Sequence, residues 1–145
     1  MYKKVLFATD FDAVGLLAAK KAKKIADENH AKLILVHVIE PIPAYAYPGF
    51  AGFAEVEESI REQAEKEFTA LADGLGVDTK HRLLEFGSIK TEVLRVAKEH
   101  DIDLLVTGSH GKHGLALLLG STANAILHGA ECDVLIVRPK IKDTD

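Results

Sequence analysis

The chain has 145 residues, of which 48% are hydrophobic and 28% charged, and only four are proline. This composition excludes a disordered chain and predicts one globular domain at residues 1–140, followed by a short frayed tail at 141–145. The net charge of −4 disfavours a general nucleic-acid binder, and the single cysteine excludes an intrachain disulfide and a cysteine-based zinc cluster.

Two strands and one helix are predicted ahead of a long loop. Residues 3–10 (KKVLFATD) form the first strand, residues 15–29 a helix, and residues 31–39 a nearly unbroken apolar strand of the kind that is covered on both faces. Residues 40–53 contain three prolines and four aromatic side chains, which predicts a loop. The loop is either a lid over a pocket or a surface for a partner, and the sequence leaves both open.

Two further helices flank a more polar strand. From Ala54 a long helix is expected, with an apolar stripe formed by Ile60, Ala64, Phe68 and Leu71. The GLG at 74–76 ends it, because glycine tolerates the left-handed conformation of a helix C terminus. Residues 78–87 form a weaker strand near a sheet edge, and residues 88–100 form a helix with Ser88 as its N-cap. Its inner face carries Ile89, Val93, Val96 and Ala97.

The last third of the chain completes the alternation. Residues 101–108 form a buried strand, residues 121–130 a short helix that begins at Ser121, and residues 132–139 the final strand. Five strands alternating with four helices predict an α/β three-layer sandwich, a parallel sheet with helices on both faces.

The sequence predicts a cytoplasmic protein without a membrane partner. No segment approaches the ~18 consecutive apolar residues that a membrane span needs. Residues 1–10 contain only four apolar residues in a row and no cleavage site typical of a secretory signal.

The candidate site residues follow the predicted strands, because ligands of parallel sheets bind beyond the carboxyl ends of the strands where the strand order reverses. These residues are Thr9 and Asp10, His37 and Val38, Gly87, and Gly108 to His110. Asp10 either caps the following helix, as Asp12 could, or contacts a ligand. His37 interrupts an apolar strand and is expected to be a satisfied core residue or one that contacts the backbone.

The stretch TGSHGKHGLALLLGST at 107–122 combines glycines with a helix start. Three glycines allow backbone N–H groups to approach a phosphate closely: Gly108, Gly111 and Gly114. Gly120 leads into a helix whose first residues, Ser121 and Thr122, carry hydroxyls. An ordinary tight turn is the alternative, and Lys112 is either solvated or in contact with phosphate. The stretch matches neither the GxxxxGK[ST] loop nor a dinucleotide-binding GxGxxG after a first strand.

No catalytic residue is predicted. His110 and His113 lack a third metal ligand, and no GxSxG sequence presents a nucleophile. Cys132 begins an apolar strand, and we expect an inert packing residue there.

Four segments resemble the universal stress protein A family: KKVLFATDFD, LVHVIEP, FGSIKTEVLRVAKEHDIDLLVTGSHG and LLLGSTANAILHGAECDVLIVRP. The resemblance extends over essentially the whole chain. It implies an adenine-nucleotide α-hydrolase-like fold with strand order 3-2-1-4-5, so that the first and fourth strands meet where the order reverses. It also implies a homodimer formed through the edge strand at 132–139.

Many members of that family bind ATP or AMP, in some cases with Mg²⁺, through the pattern G-x2-G-x9-G-[ST]. The resemblance then implies that Asp10 lies near the ribose or the triphosphate and its Mg²⁺, and that the Val38 backbone reads adenine. Ala8 and Thr9 would line the base and the sugar. The phosphates would be surrounded by Gly108, His110, Gly111, Gly120, Ser121 and Thr122.

Two features depart from the pattern. Eight residues separate Gly111 from Gly120 where the pattern has nine, and Asp12 stands where many members carry serine. The family also has a branch that lacks the glycine pattern and does not bind ATP. The leading hypothesis is a dimeric stress-response protein that binds an adenine nucleotide and is not an enzyme, with hydrolysis at most slow and incidental. The alternative is a dimeric interaction protein with a degenerate site; a nucleotide-hydrolysing enzyme using Asp10 and His110 ranks third.

Overall fold

Five strands and four α-helices alternate along residues 1–11, 13–43, 52–109 and 119–139, the residues described by this computed structural model. The strands are β1 (Lys4–Ala8), β2 (Lys32–Ile39), β3 (Arg82–Phe86), β4 (Leu104–Gly108) and β5 (Asp133–Val137). The helices are α1 (Ala13–Asn29), α2 (Phe53–Leu75), α3 (Ile89–Glu99) and α4 (Ser121–Gly129). Residues 44–51 of the predicted loop and the predicted tail at 141–145 lie outside the described residues.

All five strands are parallel and lie in the order β3-β2-β1-β4-β5. The strand order that the family resemblance implies is therefore confirmed, and so is the edge position of β3. The chain runs outward from β1 through β2 to β3 and then returns to the other side of β1. The order thus reverses between β1 and β4, where a parallel sheet offers a binding crevice.

The sheet is covered on both faces, as the unbroken apolar run at 31–39 predicts. Val5 and Phe7 of β1 pack on the face covered by α1 and α2, whereas Leu6 packs on the face covered by α3 and α4. All three side chains have no exposed surface. Alternation along each strand therefore supplies two separate apolar cores, one on each face of the sheet.

The ends of two helices follow the predicted signals. Gly76 has φ of 68°, in the left-handed region, and its N–H donates to carbonyls of the last turn of α2, which confirms the predicted stop. Ser88 is the N-cap residue of α3, but its hydroxyl makes no capping hydrogen bond, and the first turn is closed by Glu92 N–H donating to the Ser88 carbonyl at 2.9 Å. The predicted inner face of α3 is buried at Val93, Val96 and Ala97.

The predicted apolar stripe of α2 is wrong at its first member. Ala64, Phe68 and Ala72 are buried and Leu71 is partly buried, but Ile60 is 43% exposed. Every residue from 57 to 63 is exposed, so these two turns of α2 contribute no buried side chain.

The predicted third strand is too long, because residues 79–81 form a 3₁₀ turn and β3 begins at Arg82. The Arg82 guanidinium donates two hydrogen bonds to the Val77 carbonyl, at 2.9 and 2.7 Å, and one to the Asp73 carboxylate at 2.7 Å. These bonds fold the segment back onto the end of α2. Smaller differences are that α1 begins at Ala13 instead of residue 15 and β4 begins at Leu104 instead of residue 101.

Within the described ranges, no helix is long and apolar enough to cross a membrane.

Candidate functional site

The candidate site is a crevice between the carboxyl ends of β1 and β4. The paired register of these two strands ends at Phe7 and Val106. Beyond this point β1 stays with β2, since the Thr9 N–H donates to the Val36 carbonyl at 3.0 Å. The central strands therefore separate where the strand order reverses, which opens the position expected for a ligand in a parallel sheet.

On the other side of the crevice, β4 stays with β5. Gly108 pairs with Val137, and the Ser109 N–H donates to the Val137 carbonyl at 2.9 Å. The Ser109 side chain is fully buried. Thr107 spans the separating strands, with its Oγ1 3.5 Å from the Ala8 carbonyl. The two walls of the crevice are thus fixed by hydrogen bonds to different neighbouring strands.

A tight turn carries Asp10 at the end of β1. Thr9 is only 7% exposed, and its Oγ1 accepts a hydrogen bond from the Phe11 N–H at 3.2 Å. The Thr9 carbonyl is 2.7 Å from Nδ1 of His37. Phe11 has φ of 67°, and Asp10 lies between these two anchored residues, partly exposed. The contact from His37 confirms the predicted backbone contact of that histidine.

The N terminus of α4 is attached directly to the end of β4. The Gly120 N–H donates to the Ser109 carbonyl at 2.7 Å, and the Asn124 N–H closes the first turn on the Gly120 carbonyl at 2.9 Å. Ser121 is exposed and Thr122 partly buried in this first turn. Because the first N–H groups of a helix have no intrahelical partners and the helix dipole is positive there, this end of α4 suits an anion.

Gly108 has a packing role that sequence reasoning missed. A Cβ at this position would lie 3.2 Å from Cγ1 of Val14 and 4.0 Å from the Gly15 nitrogen. A side chain at residue 108 would therefore press on the first turn of α1, and glycine allows this turn to lie close to β4. The sequence signal for this role is weak, since a glycine that packs against a helix and one that admits a phosphate look alike.

The Val38 carbonyl lies on the β1 side of β2. The Ile39 carbonyl accepts from Gly87 on the β3 side, and successive carbonyls alternate along a strand. The Val36 carbonyl accepts from Thr9, so the Val38 carbonyl lies on that same side, two residues beyond Val36, which pairs with the last residue of β1, Ala8. The main chain of Val38 is thus placed beside the turn that carries Asp10.

Of the ten predicted binding residues, eight lie in the described part of the chain, and His110 and Gly111 lie outside it. Asp12, Lys112, His113 and Gly114 also lie outside the described residues. The structure brings Ala8, Thr9 and Asp10 to one wall of the crevice, and Gly108 to the other. Gly120 adjoins that second wall, and Ser121 and Thr122 follow it in the first turn of α4. The Val38 main chain lies beside the β1 turn.

Residues described by the structure include no cluster of three His, Cys, Asp or Glu side chains that could hold a metal. A cation at Asp10 would accordingly need other ligands, and Mg²⁺ is commonly held by one or two carboxylates together with water and phosphate oxygens.

The amino ends of the strands carry structural contacts instead. Burial and the neighbouring Asp133 raise the pKa of the Cys132 thiol, which keeps it protonated and suits the predicted packing role. A cavity of about 700 Å³ lies beside Cys132, between α3 and the end of α4, and Leu94 and Ile102 help to line it. It lies at the end of the sheet opposite to the crevice.

Comparisons with known proteins agree on one family. A sequence model of the Universal stress protein family matches residues 1–138. Universal stress protein A homolog 2 of Coxiella burnetii is 41% identical over 141 residues, which covers 96% of this chain and 97% of that protein. The solved structure of Universal stress protein UspA from Lactobacillus plantarum, at 22% identity, has a TM-score of 0.79 and covers 94% of this chain and 98% of its own. A universal stress protein crystallised in complex with cAMP has a TM-score of 0.62 at 29% identity and covers 94% and 97%.

Proposed function

Because the chain belongs to the universal stress protein family, we propose that it binds an adenine nucleotide, ATP or AMP, in the crevice between β1 and β4. We further propose that it acts in the cytoplasm as a dimeric regulatory protein of the stress response. The observation that carries the proposal is the separation of the two central strands, with Thr9 bonded to β2 and Ser109 bonded to β5. The related protein crystallised with cAMP supports the choice of an adenine nucleotide.

The two walls of the crevice contact different parts of the nucleotide. The N terminus of α4, with the amides and hydroxyls of Ser121 and Thr122, binds phosphate oxygens. Gly120 has no side chain to block the approach of a phosphate, and Gly108, His110 and Gly111 are the further residues that we assign to phosphate contact. Asp10 is the residue that would hold Mg²⁺, and the bound ion would neutralise part of the phosphate charge.

The base and the sugar occupy the β1 side. Ala8 and Thr9 line the ribose and the base, and the Val38 main chain recognises the adenine edge. A main-chain donor and acceptor suffice for this task, because a strand end presents both in fixed positions. Adenine is thereby selected by hydrogen bonds and not by charge.

In this proposal the protein binds the nucleotide without catalysing its hydrolysis. Phosphoryl transfer needs an oriented nucleophile and cationic groups that stabilise charge in the transition state. The residues that we assign to the nucleotide include the carboxylate of Asp10 but neither Lys nor Arg. We therefore propose a binding protein whose hydrolysis of ATP is at most slow and incidental.

A degenerate site is the second candidate. The spacing of eight residues between Gly111 and Gly120 favours it, because one residue fewer would rotate a helical segment by ~100°. In that case the chain is an interaction protein of the same fold. Nucleotide binding distinguishes the two candidates directly.

The test replaces Ser121, the first helical residue of α4, by proline and by alanine. Proline is well tolerated at a first helical position, and Gly120 has φ of −62° and ψ of 154°, a conformation that proline allows in its predecessor. Ser121→Pro removes both the N–H and the hydroxyl, whereas Ser121→Ala removes the hydroxyl alone.

Binding of radiolabelled ATP is then measured by equilibrium dialysis. We expect Ser121→Pro to weaken binding by about tenfold or more, and Ser121→Ala by less, since a lost hydrogen bond to a charged group costs about 1.5–3 kcal/mol. Circular dichroism checks that both variants keep their helix content. Equal ATP affinity in wild type and Ser121→Pro would show that the phosphates are not held at this helix end.

A further inference from the structure

His37 belongs to β2 but contacts the β1 turn. Its side chain lies on the sheet face covered by α1 and α2, because it has the same parity as Leu33 and Leu35, which pack there. The residue is half-buried near the carboxyl end of β2. It is therefore placed beside the crevice without lining the positions assigned to the nucleotide.

One ring nitrogen of His37 is committed to the main chain. Nδ1 lies 2.7 Å from the Thr9 carbonyl oxygen. A carbonyl oxygen can only accept, so Nδ1 carries a proton and donates this hydrogen bond. The neutral ring is thereby fixed as the Nδ1–H tautomer.

Two phenylalanine rings hold the imidazole in place. The centroids of His37 and Phe11 are 4.3 Å apart with an interplanar angle of 42°, and those of His37 and Phe68 are 6.3 Å apart. Phe11 and Phe68 also contact each other edge to face, at 6.4 Å and 61°. The three rings connect the β1 turn, β2 and α2 in a single cluster.

The turn needs such support. Phe11 has φ of 67°, a conformation that is unfavourable for a bulky L residue and persists only where surrounding contacts enforce it. Two hydrogen bonds support this conformation, one from the Phe11 N–H to the Thr9 Oγ1 and one from His37 to the Thr9 carbonyl. The Phe11 ring also packs on His37 and Phe68. Asp10 stands between Thr9 and Phe11.

From these contacts we infer that His37 is a positioning residue of the nucleotide site. Its Nδ1–H fixes the Thr9 carbonyl, and its ring fixes Phe11, so that Asp10 and the base-lining residues are held in place before the nucleotide arrives. The inference rests on the proposed function for its effect on nucleotide affinity. Its effect on the turn itself is independent of that function.

Three substitutions of His37 separate the effect of its Nδ1–H donor from the effect of its aromatic ring. In asparagine the amide nitrogen is attached to Cγ, as Nδ1 is in histidine, whereas in glutamine it is attached one atom further out. His37→Asn therefore keeps a donor near the Thr9 carbonyl, and His37→Gln moves the donor away. His37→Phe keeps an aromatic ring and removes the donor.

The affinity for radiolabelled ATP is measured for all three variants by equilibrium dialysis, and thermal melting checks that each variant is folded. We expect His37→Asn to bind within about threefold of wild type, and His37→Gln and His37→Phe to lose about tenfold, the effect of one hydrogen bond. Equal losses in His37→Asn and His37→Gln would overturn the positioning role, because burial alone does not distinguish these two amides.

Two measurements need no nucleotide and so keep the inference separate from the proposed function. ¹⁵N-detected NMR of the histidine ring is expected to show a proton on Nδ1; a ring that carries its proton on Nε2 alone would overturn the inference. Hydrogen exchange of the Phe11 amide is expected to quicken in His37→Gln and His37→Phe but not in His37→Asn. Unchanged exchange in all three would also overturn it. If wild type binds no nucleotide while these two results hold, only the proposed function fails.

Discussion

Gly108 lies where the first turn of α1 passes over β4, and a Cβ there would press on Val14 at 3.2 Å. The same residue belongs to the glycine pattern that the family resemblance assigns to phosphate binding. Packing against Val14 favours glycine at this position, whether or not a phosphate lies near it. A glycine in a binding pattern can therefore owe its presence to the scaffold.

We predict that Gly108→Ala lowers the free energy of unfolding by about 1–3 kcal/mol, the usual cost of overpacking a tight contact. The penalty shrinks when Val14 is replaced by alanine, because the atom that would be overlapped is then absent. Urea unfolding of wild type, both single variants and the double variant measures this coupling. The packing role is excluded if Gly108→Ala costs as much beside Ala at position 14 as beside valine.

At the scale of elements, β1 is fixed at both of its ends by contacts that its own sequence does not reveal. At the carboxyl end the contacts come from His37 and β2. At the amino end the Asp103 carboxylate accepts hydrogen bonds from the N–H groups of Lys3, at 2.7 Å, and Lys4, at 2.8 Å. The contacts from His37 and β2 support the turn that carries Asp10. The Asp103 contact joins the start of β1 to the start of β4.

The Asp103 contact makes a pH-dependent contribution to stability. The two main-chain donors hold the pKa of the Asp103 carboxyl below its ordinary value. A carboxyl whose pKa is lower in the folded state stabilises the fold above its unfolded pKa of about 4, and this contribution is lost as the pH falls below that value.

We therefore expect Asp103→Asn to be less stable than wild type at pH 7, and the difference to diminish towards pH 3. Urea unfolding at both pH values measures it. Asp78→Asn is the control, because it removes the same charge at an exposed residue whose side chain makes no capping bond. A difference that stays constant between pH 7 and pH 3 contradicts the role of the Asp103 charge.

Elements were predictable from sequence where local chemistry decides them. Runs of apolar residues locate four of the five strands, β3 being the more polar exception, and Gly76 locates the end of α2. The predictions fail where contacts outside the local pattern set the structure. Ile60 continues the apolar stripe of α2, but the stripe alone does not show whether other elements cover the side chain, which is 43% exposed. The start of β3 depends on a side chain, Arg82, that folds back to Val77.

At the site, the strand-end rule and the family resemblance located Thr9, Asp10 and Gly108 from sequence alone. The cluster of Phe11, His37 and Phe68 was not predictable, because its members are separated by 26 and 31 residues and belong to three different segments. The packing of Gly108 on Val14 was missed for the same reason, since the two residues are far apart in the chain.

At the scale of the whole molecule, β5 is an edge strand, and no strand among the described residues pairs with its outer side. Val134, Leu135 and Ile136 are each partly exposed on this edge strand. An unpaired apolar edge tends to pair with another chain. We propose that two copies of the chain meet there, through residues 132–139, and that the stress-response protein works as a homodimer.

Ile136→Pro tests the dimer without breaking the sheet. Val137 directs its carbonyl to β4, where it accepts from Ser109, so the backbone of Ile136 faces the free edge. Proline is tolerated on an edge strand where the missing N–H faces outward. We expect sedimentation equilibrium at micromolar concentration to find wild type dimeric and Ile136→Pro monomeric.

Leu135→Pro is the matched control. Its backbone faces β4, so this variant removes a hydrogen bond within the sheet and is expected to lower the melting temperature far more than Ile136→Pro. A monomeric wild type, or an Ile136→Pro variant that remains dimeric, would contradict the proposed interface.

The central proposal is that the separated ends of β1 and β4 bind an adenine nucleotide. Isothermal titration calorimetry of the wild-type chain with ATP, and with AMP, in the presence and absence of Mg²⁺ tests it most directly. We predict saturable binding of at least one of the two nucleotides, with one nucleotide bound per chain. Folded protein that shows no saturable heat with either nucleotide under any of these conditions would contradict the proposal and favour the degenerate site.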